Sequence, residues 1–225
     1  MKTKVYLVRH AEAMGNVNEF FQGRTDCEIS PKGKKQLDCL AERFRDIHFD
    51  VLYSSPLSRT RETAAAVNRY HGLDIIYDPQ LIEINGGEWE GKKWADIPVL
   101  YPEEYHLWTE DMANFRTEKG EAMTEVFDRM KKAVDNIVRS NVGKTVTVVS
   151  HGCALRNYLC YAAGDPITKL ADVGWSDNTA VSLIEYDDSF RPTVIFKNDA
   201  SHLTPELSTL AHSKWCRYDD KGTKG

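Results

Sequence analysis

Arg9 and His10 stand directly behind the apolar run Val5–Val8, with Glu12 and Asn16 close by. Two other apolar runs also end in polar groups. Ser54 and Ser55 follow "FDVLY" and lead to Arg59, and Ser150, His151 and Gly152 follow "TVTVV". Two guanidiniums offer planar forks of donors that match phosphate oxygens. A helix starting just after His151 adds backbone N–H groups and the positive end of its dipole. A histidine held neutral among those cations keeps a ring-nitrogen lone pair that can attack phosphorus. Together the residues describe a phosphate pocket with a nucleophile in it. Taken singly each has a plainer account, since a lone arginine commonly forms a surface ion pair and a lone histidine commonly satisfies a polar neighbour. Their joint arrival at three strand ends points to a site.

Two histidines also raise a metal site. The chain lacks HExxH or any other helical ligand pair, and two arginines would repel a dication. It has no GxxxxGK(S/T) phosphate loop. A leaving group needs a proton, and a carboxylic acid beside a phosphate dianion has its pKa raised by like charge. The stretch "LIEINGGEWEG" offers Glu83, Glu88 and Glu90. Spacing alone does not choose among them.

The elements that must carry these groups alternate. Residues 4–8 form a β-branched-rich apolar strand of the kind buried inside parallel sheets. "ISPKGKKQLDCLAERFRDI" starts a helix with Ser30 as N-cap and Pro31 at its first position. "FDVLYSSP" is a strand, "LSRTRETAAAVNRY" a helix stopped at Gly72, and "LDIIYD" another strand. "KTVTVVSHG" is a third apolar strand, followed by the helix "CALRNYLCYAAG". "TAVSLIEYD" and "PTVIFKND" close the pattern as a hairpin around Asp187–Arg191. Alternation of this kind predicts an α/β fold with a mostly parallel sheet, and ligands of such sheets bind outside the carboxyl ends of the strands. Residues 86–120 break the pattern with Trp89, Trp94, Tyr101, Tyr105, Trp108 and Phe115. This reads as a helical insertion or lid covering one sheet edge. From about residue 205 the chain is a polar tail, read as a short helix and a loose end.

Bulk properties narrow the function. The length suits a single domain spanning 1–225. A net charge of −5 with 41% hydrophobic and 28% charged residues argues against nucleic-acid binding, which needs a basic face. No run reaches the roughly 18 apolar residues of a membrane span. Five scattered cysteines without a CxxC pair suit a reducing compartment, so a cytoplasmic protein is expected. Composition does not choose between a monomer and a homodimer.

"LVRHAEAMGN", "SSPLSRTRETA", "LIEINGGEWEG" and "VSHG", in this order, resemble the histidine phosphatase superfamily, the phosphoglycerate-mutase-like fold. The resemblance implies a three-layer α/β domain with a central, mostly parallel sheet between helices. It implies that His10 becomes phosphohistidine, that Arg9, Arg59, Asn16 and His151 hold the phosphoryl group, and that the Gly152 amide completes the pocket. Glu83 takes the proton-donor position, Glu90 belongs to the neighbouring "WEG" signature, and Gln22, Gly23 and Asp26 match the loop that borders the pocket. No metal and no cofactor is implied, and the partner is a small phosphorylated metabolite. Two residues depart from the usual Arg-His-Gly-Glu-Thr, Ala11 for glycine and Ala13 for threonine. Gly15 also stands where an aromatic is common. Ala11 would strain the loop if the glycine's φ were positive. The aromatic segment lacks the Arg-Tyr-Gly and Leu-Asn-Lys patterns of cofactor-dependent mutases, which favours a phosphatase. A mutase-type phosphoryl transfer is the alternative, and a non-catalytic phospho-ligand binder a third.

Overall fold

A computed structural model describes residues 2–212. Six strands form one sheet: β1 (Thr3–Arg9), β2 (Val51–Ser54), β3 (Ile75–Tyr77), β4 (Thr145–Ser150), β5 (Val181–Tyr186) and β6 (Pro192–Asp199). Their order is β3-β2-β4-β1-β5-β6. The first four strands of that order run parallel, and β5 and β6 add an antiparallel hairpin. The helices are α1 (Met14–Val17), α2 (Pro31–Phe44), α3 (Ser58–Val67), α4 (Ile97–Leu100), α5 (Pro102–Glu110), α6 (Met123–Ser140) and α7 (Gly152–Ala162).

Strand periodicity of two divides the core into layers. Val5 and Leu7 of β1, with Val146 and Val148 of β4, pack with α6, α7 and the aromatic segment. Val8, Val149 and Leu52 face α2 and α3 through Leu40, Phe44, Ala64 and Val67. The result is a three-layer α/β fold.

Pairing register sets the functional end. Arg9 pairs with Ser150 in the β1–β4 ladder, and Ser54 pairs with Val149 in β2–β4. The ladder continues one step beyond the strands, with His10 N–H donating to Ser150 O at 3.0 Å and Ser55 N–H to Val149 O at 3.0 Å. Three segments distant in sequence therefore release their next side chains at one edge.

Three local expectations differ from the structure. The helix after "SSPLS" stops at Val67, because the Asn68 amide bonds both Leu73 O (2.6 Å) and Leu73 N–H (3.0 Å) and turns the chain before Gly72. The aromatic segment packs into the α6–α7 layer, with Trp89, Trp108 and Phe115 buried there, instead of covering a sheet edge. Residues 205–212 form turns and no helix. Those turns are docked: Asp177 accepts from the N–H groups of Thr209 and Leu210, and Gln36 donates to Leu207 O. The remainder of the tail lies outside the described residues.

Candidate active site

His10 lies just past β1, 3% exposed. Its Nδ1 is 2.7 Å from Ala11 O. A carbonyl only accepts, so Nδ1 carries the proton and Nε2 keeps its lone pair. Burial first, then the Arg59 and Arg9 charges, hold the pKa well below the usual imidazole range. The ring is a neutral imidazole in a cationic setting. Its carbonyl is clamped by Asn178 Nδ2–H (2.9 Å) and Thr179 N–H (3.3 Å). Thr179 has φ +60°, a left-handed conformation that costs a β-branched residue free energy and marks a constrained turn.

Ala11 is not strained. It lies outside the set of positive-φ residues, is fully buried, and donates its N–H to Thr63 Oγ1 at 3.0 Å. Ala13 brings no hydroxyl to cap α1, and Asn16 Oδ1 accepts the Ala13 N–H at 3.0 Å instead. That bond fixes the Asn16 amide with its NH₂ as the remaining polar group. Gly15 has a steric reason as well, since a Cβ there would lie 2.2 Å from Gln22 Oε1.

Arg59, on α3, is completely buried. Its Nη1 donates to Thr25 O (2.9 Å) and its Nη2 to Gly23 O (2.7 Å), while Nε has no partner. His151 is also fully buried, its ring centroid 5.3 Å from that of His10. His151 Nε2 meets Ser55 Oγ at 2.7 Å and Nδ1 has no partner. Burial, then Arg59, lowers its pKa well below the ordinary value. Arg9 donates to Ser176 O. Gly152 opens α7 where a Cβ would stand 3.2 Å from Arg9 Nε, so glycine lets the guanidinium lie close.

The three glutamates have separate places. Glu83 is buried, and its Oε1 accepts from Ile84 N–H (2.9 Å) and Ala154 N–H (2.9 Å). Its Oε2 accepts from Cys153 N–H at 3.0 Å, so two of the α7 first-turn amides expected to bind a ligand hold this carboxyl instead. Burial raises its pKa against those amides and Arg59. Glu88 sits at the surface, paired with Lys119 at 2.6 Å. Glu90 accepts from the N–H groups of Arg24 (2.8 Å), Thr25 (2.9 Å) and Gly86 (2.9 Å) and from Thr25 Oγ1 (2.5 Å). It staples the loop whose carbonyls hold Arg59.

A cavity opens at this edge, lined at one end by Arg9, His10, Asn16, Gln22, Glu83 and Gly152. Phe20, Phe21, Trp94, Trp108 and Trp175 form its other walls. Arg59 and His151 lie behind the lining. Gly23 is not among the lining residues; its carbonyl accepts from Arg59 Nη2, and a Cβ there would stand 2.2 Å from Ile84 O. Asp26, in the same loop, turns both its oxygens to Ser58 N–H at 3.0 Å, capping α3. Sequence reasoning named neither Thr63 nor the walls from Phe20, Phe21 and Trp175. The Ala11–Thr63 bond joins residues 52 apart, and no local pattern carries it. Among the described residues no three His, Cys, Asp or Glu side chains group as metal ligands, and no helix is long and apolar enough to cross a membrane.

An α/β sheet that gathers a neutral histidine, buried cations and a buried carboxyl at its strand ends defines a phosphoryl-handling enzyme. The profile described as the histidine phosphatase superfamily (branch 1) matches residues 5–199, and the chain belongs to that family. It is a phosphatase acting on phosphomonoesters. It is 35% identical over 209 residues to "Phosphoserine phosphatase 1" of Hydrogenobacter thermophilus, covering 93% of this chain and 98% of that one. A Yersinia pestis protein named "Probable phosphoglycerate mutase GpmB" is 34% identical over 83% of this chain and 86% of its own. Among solved structures, Bacillus stearothermophilus YhfR superimposes with a TM-score of 0.85 at 30% identity, covering 89% of this chain and 98% of that one.

Proposed function

We propose that this phosphatase works without a metal, through a phosphohistidine formed on His10. Nε2 attacks phosphorus in line while the P–O bond to the leaving group breaks. Glu83 gives its proton to the departing oxygen. The Glu83 carboxylate then takes a proton from water, the hydroxide displaces the phosphoryl group, and His10 and free phosphate are regenerated. Arg9 and the Asn16 NH₂ meet the phosphoryl oxygens, with Arg59, His151 and the Gly152 amide completing the donor set. The observation that carries this reading is the His10 Nδ1–Ala11 O bond at 2.7 Å, which leaves the lone pair on Nε2 of a ring that lines the cavity. Two buried nitrogens, Arg59 Nε and His151 Nδ1, lack partners, as a pocket built for an anion's oxygens would leave them.

The substrate is a small phosphometabolite, and O-phosphoserine is the first to test, given the name of the Hydrogenobacter relative. The four described cysteines are free thiols, which supports the cytoplasm as the compartment. Rapid quenching with ³²P-labelled O-phosphoserine or p-nitrophenyl phosphate in excess EDTA is expected to trap an acid-labile, base-stable label on His10. Label on another residue, or label that needs an added divalent ion, overturns the mechanism. A phosphoenzyme that returns its label to the alcohol product faster than to water favours the mutase reading.

A further inference from the structure

The proton donor's backbone strap is gripped from outside the pocket. α6 is amphipathic, burying Met123, Val126, Met130, Ala133, Val134, Ile137 and Val138. Arg129 stands beside that face with its side chain only 12% exposed. Its Nη1 donates to Gln80 O at 2.7 Å and to Ile82 O at 2.8 Å. Its Nε and Nη2 form a two-pronged pair with Glu121, at 2.7 and 3.0 Å. Glu121 in turn takes Asn85 N–H at 3.3 Å, and its own N–H donates to Asn85 O at 2.9 Å. Ser150 Oγ holds the one carbonyl between, Leu81 O, at 2.7 Å. Backbone groups of residues 80, 81, 82 and 85 are thus fixed on both sides of Glu83. The Glu83 carboxyl is fixed separately, on the α7 amides.

We infer that Arg129 is a positioning residue for Glu83, acting through the carbonyls of Gln80 and Ile82 to set where the acid's carboxyl meets the leaving oxygen. The inference rests on the reading of Glu83 as the proton donor. A planar guanidinium suits the task, because one fork can hold a carboxylate while its remaining edge spans two carbonyls. A buried ion pair is by itself weak support for a stability role, since desolvation offsets much of its Coulomb gain. Misplacing a catalytic group by about an ångström is costly in rate, and it is costly only where that group is needed.

The test therefore uses two leaving groups on the full-length enzyme. An alkyl phosphate, β-glycerol phosphate, leaves as a strongly basic oxygen and needs the acid; p-nitrophenyl phosphate leaves as a weak base and does not. Glu83→Gln sets the reference, with a kcat/KM loss of about 10²–10⁴ on the alkyl ester and a far smaller one on the aryl ester. Arg129→Met is expected to lose about tenfold or more on the alkyl ester while staying within about threefold on the aryl ester. Added to Glu83→Gln, it should cost the alkyl ester nothing more. Equal losses on both esters, or an additive double variant, make Arg129 a structural residue and overturn the inference while leaving the acid in place. A Glu83→Gln without leaving-group selectivity overturns the acid and the inference together. If Arg129→Met shows no cooperative melting, Arg129→Lys is read in its place. Its ammonium has three donors and no planar fork, so it cannot hold the carboxylate on two prongs and both carbonyls together; the same selective loss is expected, and a wild-type profile overturns the inference.

Discussion

Arg59 is the most enclosed cation of the site, and its enclosure defines what it can contribute. Burial presses its pKa down, against the nearby Glu83 and Asp26 charges. A guanidinium stays charged regardless. Its two Nη groups are committed to Thr25 O and Gly23 O, so the residue joins the 22–25 loop to the Arg9–His10 end of the cavity. Lysine at this position would keep a charge and lose the fork. Arg59→Lys is expected to lower kcat/KM on p-nitrophenyl phosphate by about 10²–10³, the cost of removing one fixed donor aimed at developing charge. A loss below about threefold would assign Arg59 to scaffolding alone. The same reasoning separates the glutamates. Glu88 carries a lowered pKa from its Lys119 hydrogen bond, which leaves it ionised with no proton to give near neutral pH, whereas burial raises the pKa of Glu83, the direction that suits a proton donor.

At the scale of elements, the site is three strand ends and two loops held against one another. Glu90 is the knot between the loops, its two oxygens receiving four donors. Glu90→Gln replaces one acceptor oxygen with an NH₂ group facing N–H donors. We expect a destabilisation of about 2–4 kcal/mol in urea unfolding and a fall in kcat/KM of about tenfold as the Arg59 partners shift. Unchanged unfolding would show the loop to be held elsewhere. The strand ends were legible in the sequence because an apolar run followed by Arg-His or Ser-His-Gly is a local pattern. So was the Ser30–Pro31 helix start, with Gly33 N–H bonded to Ser30 Oγ at 2.9 Å. α6 is absent from the sequence-based expectations, although its apolar positions recur at helical spacing. The aromatic segment's division into core and cavity wall is tertiary: Trp89 and Phe115 are buried away from the cavity, Trp94 lines it, and Trp108 is both buried and part of the wall, with no difference in local pattern. The place of the Asp26 carboxylate is tertiary as well. Its loop does border the site, but its carboxylate turns to the start of α3.

For the whole molecule, the end of β6, α2 and the turn behind His10 meet at His202, and this junction makes stability depend on pH. Arg43, from α2, donates to His202 Nδ1 at 3.0 Å and to Asp199 Oδ2 at 2.7 Å. His202 Nε2 therefore carries the proton and donates to Thr179 Oγ1 at 3.1 Å. Protonating Nδ1 would point an N–H at a guanidinium. Burial, then Arg43, lowers the His202 pKa to about 4 from 6.5. Asp199 is opposed by burial but held by the Ser201 amide and Arg43, reaching about 2. The folded state thus binds fewer protons at His202 than the unfolded state does. Its contribution is present above pH 6.5 and is lost as pH falls toward 4. Asp199 has the same sign but acts lower, from its ordinary 3.8 down to about 2. Full titration of His202 corresponds to roughly 3 kcal/mol, an upper bound. His10 and His151 are also depressed by burial and add to the acid sensitivity of any variant that retains them. The comparison that isolates His202 is His202→Asn, which can accept from Arg43 and donate to Thr179 without titrating. Urea unfolding at about pH 7 and pH 4.5 should show the wild type losing about 2 kcal/mol more than His202→Asn over that interval. Parallel losses in the two proteins would remove His202 from the account and leave the acid sensitivity to the pair of histidines at the site.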